Sequence, residues 1–111
     1  MVWIPLIDVT QLDDMVTGSR KAPVVIFKHS TRCSISSMAK NRLDKNEAPQ
    51  GISFYFLDII KHREISNKIA EVFQVRHQSP QVLVINNGEC VFDESHSGIH
   101  FDEIKMAVAQ P

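Results

Sequence analysis

The chain has 111 residues, 43% of them hydrophobic and 23% charged, which is enough to bury one core without disulfides and leaves no low-complexity tract. Twelve basic residues against thirteen acidic ones give a net charge of −1, which argues against a nucleic-acid groove or an anionic membrane surface as the main partner. No apolar run approaches the ~18 residues of a membrane span, and Met1 to Pro5 lacks the layout of a signal peptide, so a cytoplasmic protein is expected, whose two cysteines are reactive or buried thiols rather than a structural bridge.

Trp3 to Ile7 is a short apolar run that suits an edge strand, where Pro5 is tolerated. A helix follows, with Thr10 and Asp13 spaced as a capping box, Leu12, Met15 and Val16 on its apolar face and Gly18 to end it. Ser19 to Pro23 is a polar linker. Val24-Val25-Ile26-Phe27 then has the length and β-branching of a buried parallel strand, stopped by the polar stretch Lys28 to Arg32. Cys33 opens a second helix reaching about Asn46, whose apolar face reads as Ile35, Met38, Ala39 and Leu43, with Lys40, Asn41 and Lys45 left to solvent. Ala48 to Gly51 is a break, and Ile52 to Leu57 is the next strand, closed by Asp58.

A third helix begins near His62, with Ile65, Ile69, Val72 and Phe73 inward and Ser66, Asn67, Lys68 and Glu71 outward. Gln81 to Asn86 is a strand, Asn86-Asn87-Gly88-Glu89 a two-residue hairpin turn, and Cys90 to Phe92 the returning strand. The last helix starts at about Phe101, with Phe101, Ile104, Ala107 and Val108 as its core face and Asp102 and Glu103 in its first turn. No repeat or second domain is apparent, so residues 1–111 read as one α/β domain.

The stretch around Cys33 carries the chemistry. A thiol at a helix start sits on free backbone N–H groups, and the helix dipole together with the neighbouring cation Arg32 favours the thiolate. A dithiol oxidoreductase needs a second cysteine three positions later, and that position is Ser36, so any adduct on Cys33 passes to an external thiol. Ser36 reads equally well as a donor to the thiolate or as a solvated first-turn serine. The histidines, among them His62, His77, His96 and His100, lack metal-site spacing, and no metal is expected.

The order β-α-β-α-β-α-β-β-α resembles the thioredoxin-like fold, with Cys33 at the start of the second helix and Ser79-Pro80 just before the hairpin as its two anchors. That resemblance implies a central mixed sheet with helices on both faces and a cis proline facing the cysteine. Phe27 stands where thioredoxins place a buried acid. Strand Gln81 to Asn86 then runs away from the site, which puts Cys90 roughly 15 to 20 Å from Cys33.

Three segments resemble the monothiol bacilliredoxin family of the bacillithiol system: Phe27-Lys28-His29-Ser30-Thr31-Arg32-Cys33-Ser34-Ile35-Ser36, Val75-Arg76-His77-Gln78-Ser79-Pro80-Gln81 and Ser95-His96-Ser97-Gly98-Ile99. Ser34 departs from the family's usual proline and leaves the helix start less rigid. The resemblance implies a cytoplasmic, monomeric thiol–disulfide oxidoreductase that accepts bacillithiol from mixed disulfides on other proteins. Its catalytic residue is Cys33, supported by Arg32, Ser34, Ser36, Ser79 and Pro80. Bacillithiol serves as thiol co-substrate, no cofactor is held permanently, and Lys28, Arg76 and His96 flank the cleft where its malate carboxylates would need cations. Two other readings stay open. Cys33 with Lys28 also resembles the cluster site of iron–sulfur carriers of the monothiol-glutaredoxin type, although Ser34 and Ile35 replace the glycine and phenylalanine usual there. The third is a non-catalytic thioredoxin-like interaction domain.

Overall fold

The computed structural model describes residues 1–110. Five strands, β1 (Ile4–Pro5), β2 (Val24–His29), β3 (Ser53–Asp58), β4 (Gln81–Asn86) and β5 (Glu89–Ser95), form one sheet in the order β1-β3-β2-β4-β5. β1, β3 and β2 are parallel, whereas β4 runs antiparallel to β2 and β5 antiparallel to β4. The helices are α1 (Gln11–Gly18), α2 (Ser34–Asp44), α3 (Arg63–Phe73) and α4 (Phe101–Val108), with a single 3-10 turn at His96–Gly98. The element order is the expected one.

β2 is buried along its whole length because a strand covers it on each side and helices cover both faces. Its side chains alternate. Val24 and Ile26 join the core made with α1 and α3, through Leu12, Met15, Ile65 and Ile69. Val25 and Phe27 join the core made with α2 and α4, through Ala39, Leu43 and Ile104. Burying each such side chain is worth ~1.5–3 kcal/mol, so two cores hold the central strand from opposite sides.

Three expectations fail here, each for a physical reason. The polar stretch after Phe27 does not end β2: Lys28 and His29 pair with Leu57 and Asp58 of β3, and both are buried. Flanking strands supply the ladder hydrogen bonds at those positions, and this outweighs side-chain polarity. The inward face of α2 is Ser36, Ala39 and Leu43, whereas Ile35 and Met38 are 47% and 59% exposed. Polar anchors set the roll of that helix, with Ser36 bonded beneath it and the Arg42 guanidinium donating through Nε and Nη2 to Ile99 O at 3.2 and 3.0 Å. In α3, Ser66 is fully buried while Val72 is 43% exposed.

Smaller departures concern caps and links. The start of α1 is not closed by a Thr10–Asp13 box. Asp8 accepts from Thr10 N and Oγ1, and Gln11 Oε1 accepts from Ile7 N and Asp8 N. Ser19, expected in a polar linker, is buried; its hydroxyl accepts from Gly88 N at 2.8 Å and its carbonyl from Asn87 N at 2.9 Å. The hairpin turn has positive φ at both Asn87 (56°) and Gly88 (78°), the backbone a tight two-residue loop requires.

Candidate active site

Three segments meet at the carboxyl end of β2. The first is the β2–α2 loop carrying Cys33. The second is the α3–β4 loop ending in the cis bond Ser79–Pro80, brought against β2 because Gln81 pairs with Lys28. The third is the β5–α4 turn: Ser95 pairs with Gln81, and His96 N donates to Pro80 O at 3.0 Å. That turn is tight. His96 takes a left-handed φ of 57°, and a Cβ on Gly98 would lie 2.7 Å from the Glu94 carboxylate, so only glycine fits without displacing it.

Cys33 is the N-cap of α2, with extended backbone (φ −114°, ψ 120°). Its N–H donates to Ser30 O at 3.2 Å and its carbonyl receives Ser37 N at 3.1 Å, so the residue is fixed while its side chain remains partly exposed. The first-turn N–H groups of α2 have no helical acceptors, and Cys33 sits at that end of the helix.

Ser36 is neither solvated nor left free for the thiolate. It is fully buried, lies 2.6 Å from His29 Nδ1 and accepts from Ser30 N at 3.0 Å, so its hydroxyl ties the β2–α2 loop to the end of β2. Burial, aided by Lys40, holds His29 below the usual histidine range against the opposing pull of Asp58, Ser36 and Asp44. Its ring packs on Phe56 and Phe27, with centroids 5.3 and 5.8 Å apart. Beneath Ser36 in the first turn of α2 there is thus an imidazole set among aromatic side chains.

The other expected residues divide. Arg32 and Ser34 are exposed beside Cys33, Arg76 is exposed on the α3–β4 loop, and His96 is exposed next to Pro80, which is itself buried. Ser79 Oγ is buried and, among the described residues, has no hydrogen-bond partner, so it is a donor still available at the site. Lys28 is the correction. It was expected among the cleft cations and beside Cys33 in the cluster-carrier reading, yet it has no solvent exposure, and its Nζ lies 3.3 Å from both Ser66 O and His77 Nδ1. Alternation along β2 turns it to the α3 side, away from the face that carries His29. Burial, with Arg63 adding repulsion, lowers its pKa to about 8.

Sequence reasoning missed His29, Ser66 and His77 as partners. The signal available was positional: Lys28 and His29 continue the inward alternation of β2, which reading the polarity alone conceals. Among the described residues no three His, Cys, Asp or Glu side chains come together in a way that could hold a metal ion.

The sequence model of the monothiol bacilliredoxin BrxC family matches residues 4–104. The chain belongs to that family. Family and fold together support a thiol oxidoreductase. It is similar to a candidate oxidoreductase with a thioredoxin fold at 30% identity and a TM-score of 0.83, over 96% of this chain and 93% of the other. Thioredoxins of Malassezia sympodialis (18% identity, TM-score 0.74, 98% and 90% covered) and Fasciola hepatica (16%, 0.70, 94% and 94%) share the fold. No helix among the described residues is long and apolar enough to cross a membrane.

Proposed function

We propose that the protein removes bacillithiol from mixed disulfides on other proteins through Cys33 alone. The reading is carried by the isolation of that thiol: it is partly exposed at the N-cap of α2, the position three residues on is a buried serine, and Cys90 lies about five strand residues away, ~16 Å. The Cys33 thiolate attacks the bacillithiol sulfur of the mixed disulfide. As that S–S bond breaks, the electron pair goes to the substrate's cysteine sulfur, which leaves as a thiolate and takes a proton from water. Cys33 now carries bacillithiol in a new disulfide. An external low-molecular-weight thiolate attacks this adduct, takes the bacillithiol as a small disulfide and returns Cys33 to the thiolate.

The supporting groups follow from the site. Ser79 Oγ would donate to sulfur or to the incoming ligand, and the exposed cations Arg32 and Arg76, with exposed His96, would meet the two carboxylates of the malate group. Lys28 drops out of that set. The same reading makes the protein a cytoplasmic monomer with bacillithiol as co-substrate and no resident cofactor. The test is transfer: reduced protein is mixed with a bacillithiolated substrate, and the substrate's mass should fall by one bacillithiol as this protein's rises. No mass transfer at equimolar protein would overturn the proposal.

A further inference from the structure

Among the described residues Lys28 is the one lysine or arginine that is buried, and no carboxylate forms an ion pair with it. A buried ammonium without a counter-ion destabilises a fold, and an apolar side chain of similar volume would avoid that penalty. What Lys28 does hold is a loop. His77 lies three residues before Pro80, and its Nδ1 is 3.3 Å from Lys28 Nζ and 3.0 Å from Ser66 Oγ. The same loop is framed from inside by Gln81, whose Nε2 donates to Arg76 O at 3.0 Å and whose Oε1 accepts from Gln78 N at 3.3 Å. Gln81 in turn faces Lys28 across the β2–β4 ladder.

An ammonium can only donate, so Nδ1 can accept from Lys28 only when it carries no proton. The charged groups around His77 are Lys28 from β2 and Arg63 from the first turn of α3, with Arg76 next to it in its own loop; Ser66 and the β4 residue Gln81 are neutral. A protonated ring would put a second N–H against the ammonium, with no carboxylate to offset the repulsion. We propose that Lys28 is a positioning residue for thiol exchange: through the neutral ring of His77 it locks the loop that carries Pro80 against Cys33, and protonation of His77 releases that lock. Burial first, then Lys28 and Arg63, keep His77 below its ordinary 6.5, so the lock holds at neutral pH and opens in acid. The consequence for exchange rests on the function proposed above; the lock itself does not.

The test uses the full chain with Lys28→Met and His77→Asn, the latter offering an amide oxygen near the position of Nδ1 without titrating. Amide hydrogen exchange of residues 76–79, corrected for intrinsic rates, is followed from pH 7 to 5, together with mixed-disulfide formation against a glutathionylated protein and alkylation of Cys33 by iodoacetamide. In the wild type, loop protection should fall about tenfold on acidification, and Lys28→Met should show that loss already at pH 7. Lys28→Met should form mixed disulfide about tenfold more slowly while alkylation stays within about twofold, because only the former needs the loop in place. It should melt no lower than the wild type. His77→Asn should keep the loop protected at pH 7 and lose the acid step. Wild-type loop protection in Lys28→Met, or an acid step that survives in His77→Asn, would overturn the lock. Alkylation falling in parallel with exchange would overturn the positioning role, since Lys28 would then be acting on the thiol itself. A wild type that accepts no thiol from any mixed disulfide overturns the functional reading, and hydrogen exchange still decides the lock.

Discussion

Cys33 and Cys90 are the same side chain in two settings. Cys90 pairs with Ile85, which pairs with Val24 at the start of β2, whereas Cys33 follows the other end of that strand, so the length of β2, ~16 Å, separates them. Cys90 packs against the core under α1 and α3, donates its S–H to Phe92 O at 3.3 Å and is pushed by burial to a pKa of about 11. Cys33 caps a helix beside exposed Arg32. Position in the fold separates them: the hairpin end makes one sulfur a packing atom, and the helix start leaves the other partly exposed, as the nucleophile of the proposed reaction must be.

The sharpest contrast should be chemical. With Cys90 buried at about 11, only ~10⁻⁴ of it is thiolate at pH 7, so iodoacetamide should label the partly exposed Cys33 much faster, as followed by peptide mapping. Equal labelling would erase the distinction. Mild oxidation with diamide should give adducts or linked dimers and no monomer lighter by two protons, because a disulfide needs Cα atoms within about 7 Å.

The next contrast lies within α2. Leu43→Ala should cost ~2–5 kcal/mol in denaturant unfolding, while Met38→Ala, at a 59% exposed position, should stay within ~0.5 kcal/mol. Similar losses would restore the inward face expected from the helical spacing of Ile35 and Met38. Ser36→Ala should cost about 1–3 kcal/mol by leaving Ser30 N and His29 without their buried partner, and it should loosen the Cys33 loop.

The smallest effect is a slope in stability with pH. Lys28 has a folded pKa of about 8 against an ordinary 10.5, so between those values the unfolded chain holds more protons and stability rises with pH. Cys90 works the other way: its folded value of about 11 against 9.0 means the unfolded chain loses its proton first, and stability falls over that range. Unfolding free energy should therefore rise from pH 8 to 9, and Cys90→Ser should carry the rise on towards 10. A flat profile from 8 to 9 in both proteins would contradict a charged, buried Lys28.

These residues also show what could be read from sequence. Element order and the Asn87–Gly88 hairpin were legible because each is a local pattern, apolar runs of strand length and a turn dipeptide, whereas the cis bond at Ser79–Pro80 followed only from the resemblance to the thioredoxin-like fold. The roll of α2 and the extent of β2 were not. Ile35 and Met38 fit a helical apolar stripe, yet Ser36 and Arg42 turn the helix by hydrogen bonds to residues that only tertiary structure brings near. Lys28, His29 and Ser66 read as polar and hence exposed, but strand ladders and two helix layers bury them and supply their partners. The site's upper rim was thus visible from sequence, while its floor, made of buried polar contacts, was not.

The central claim is that one sulfur carries the reaction. Wild type, Cys33→Ser and Cys90→Ser are each incubated, reduced, with an equimolar bacillithiolated protein, and intact masses are read before and after. The account predicts one bacillithiol gained by the wild type and by Cys90→Ser, mapped to Cys33, and none gained by Cys33→Ser. Bacillithiol gained by Cys33→Ser, or found on Cys90 in the wild type, would contradict it.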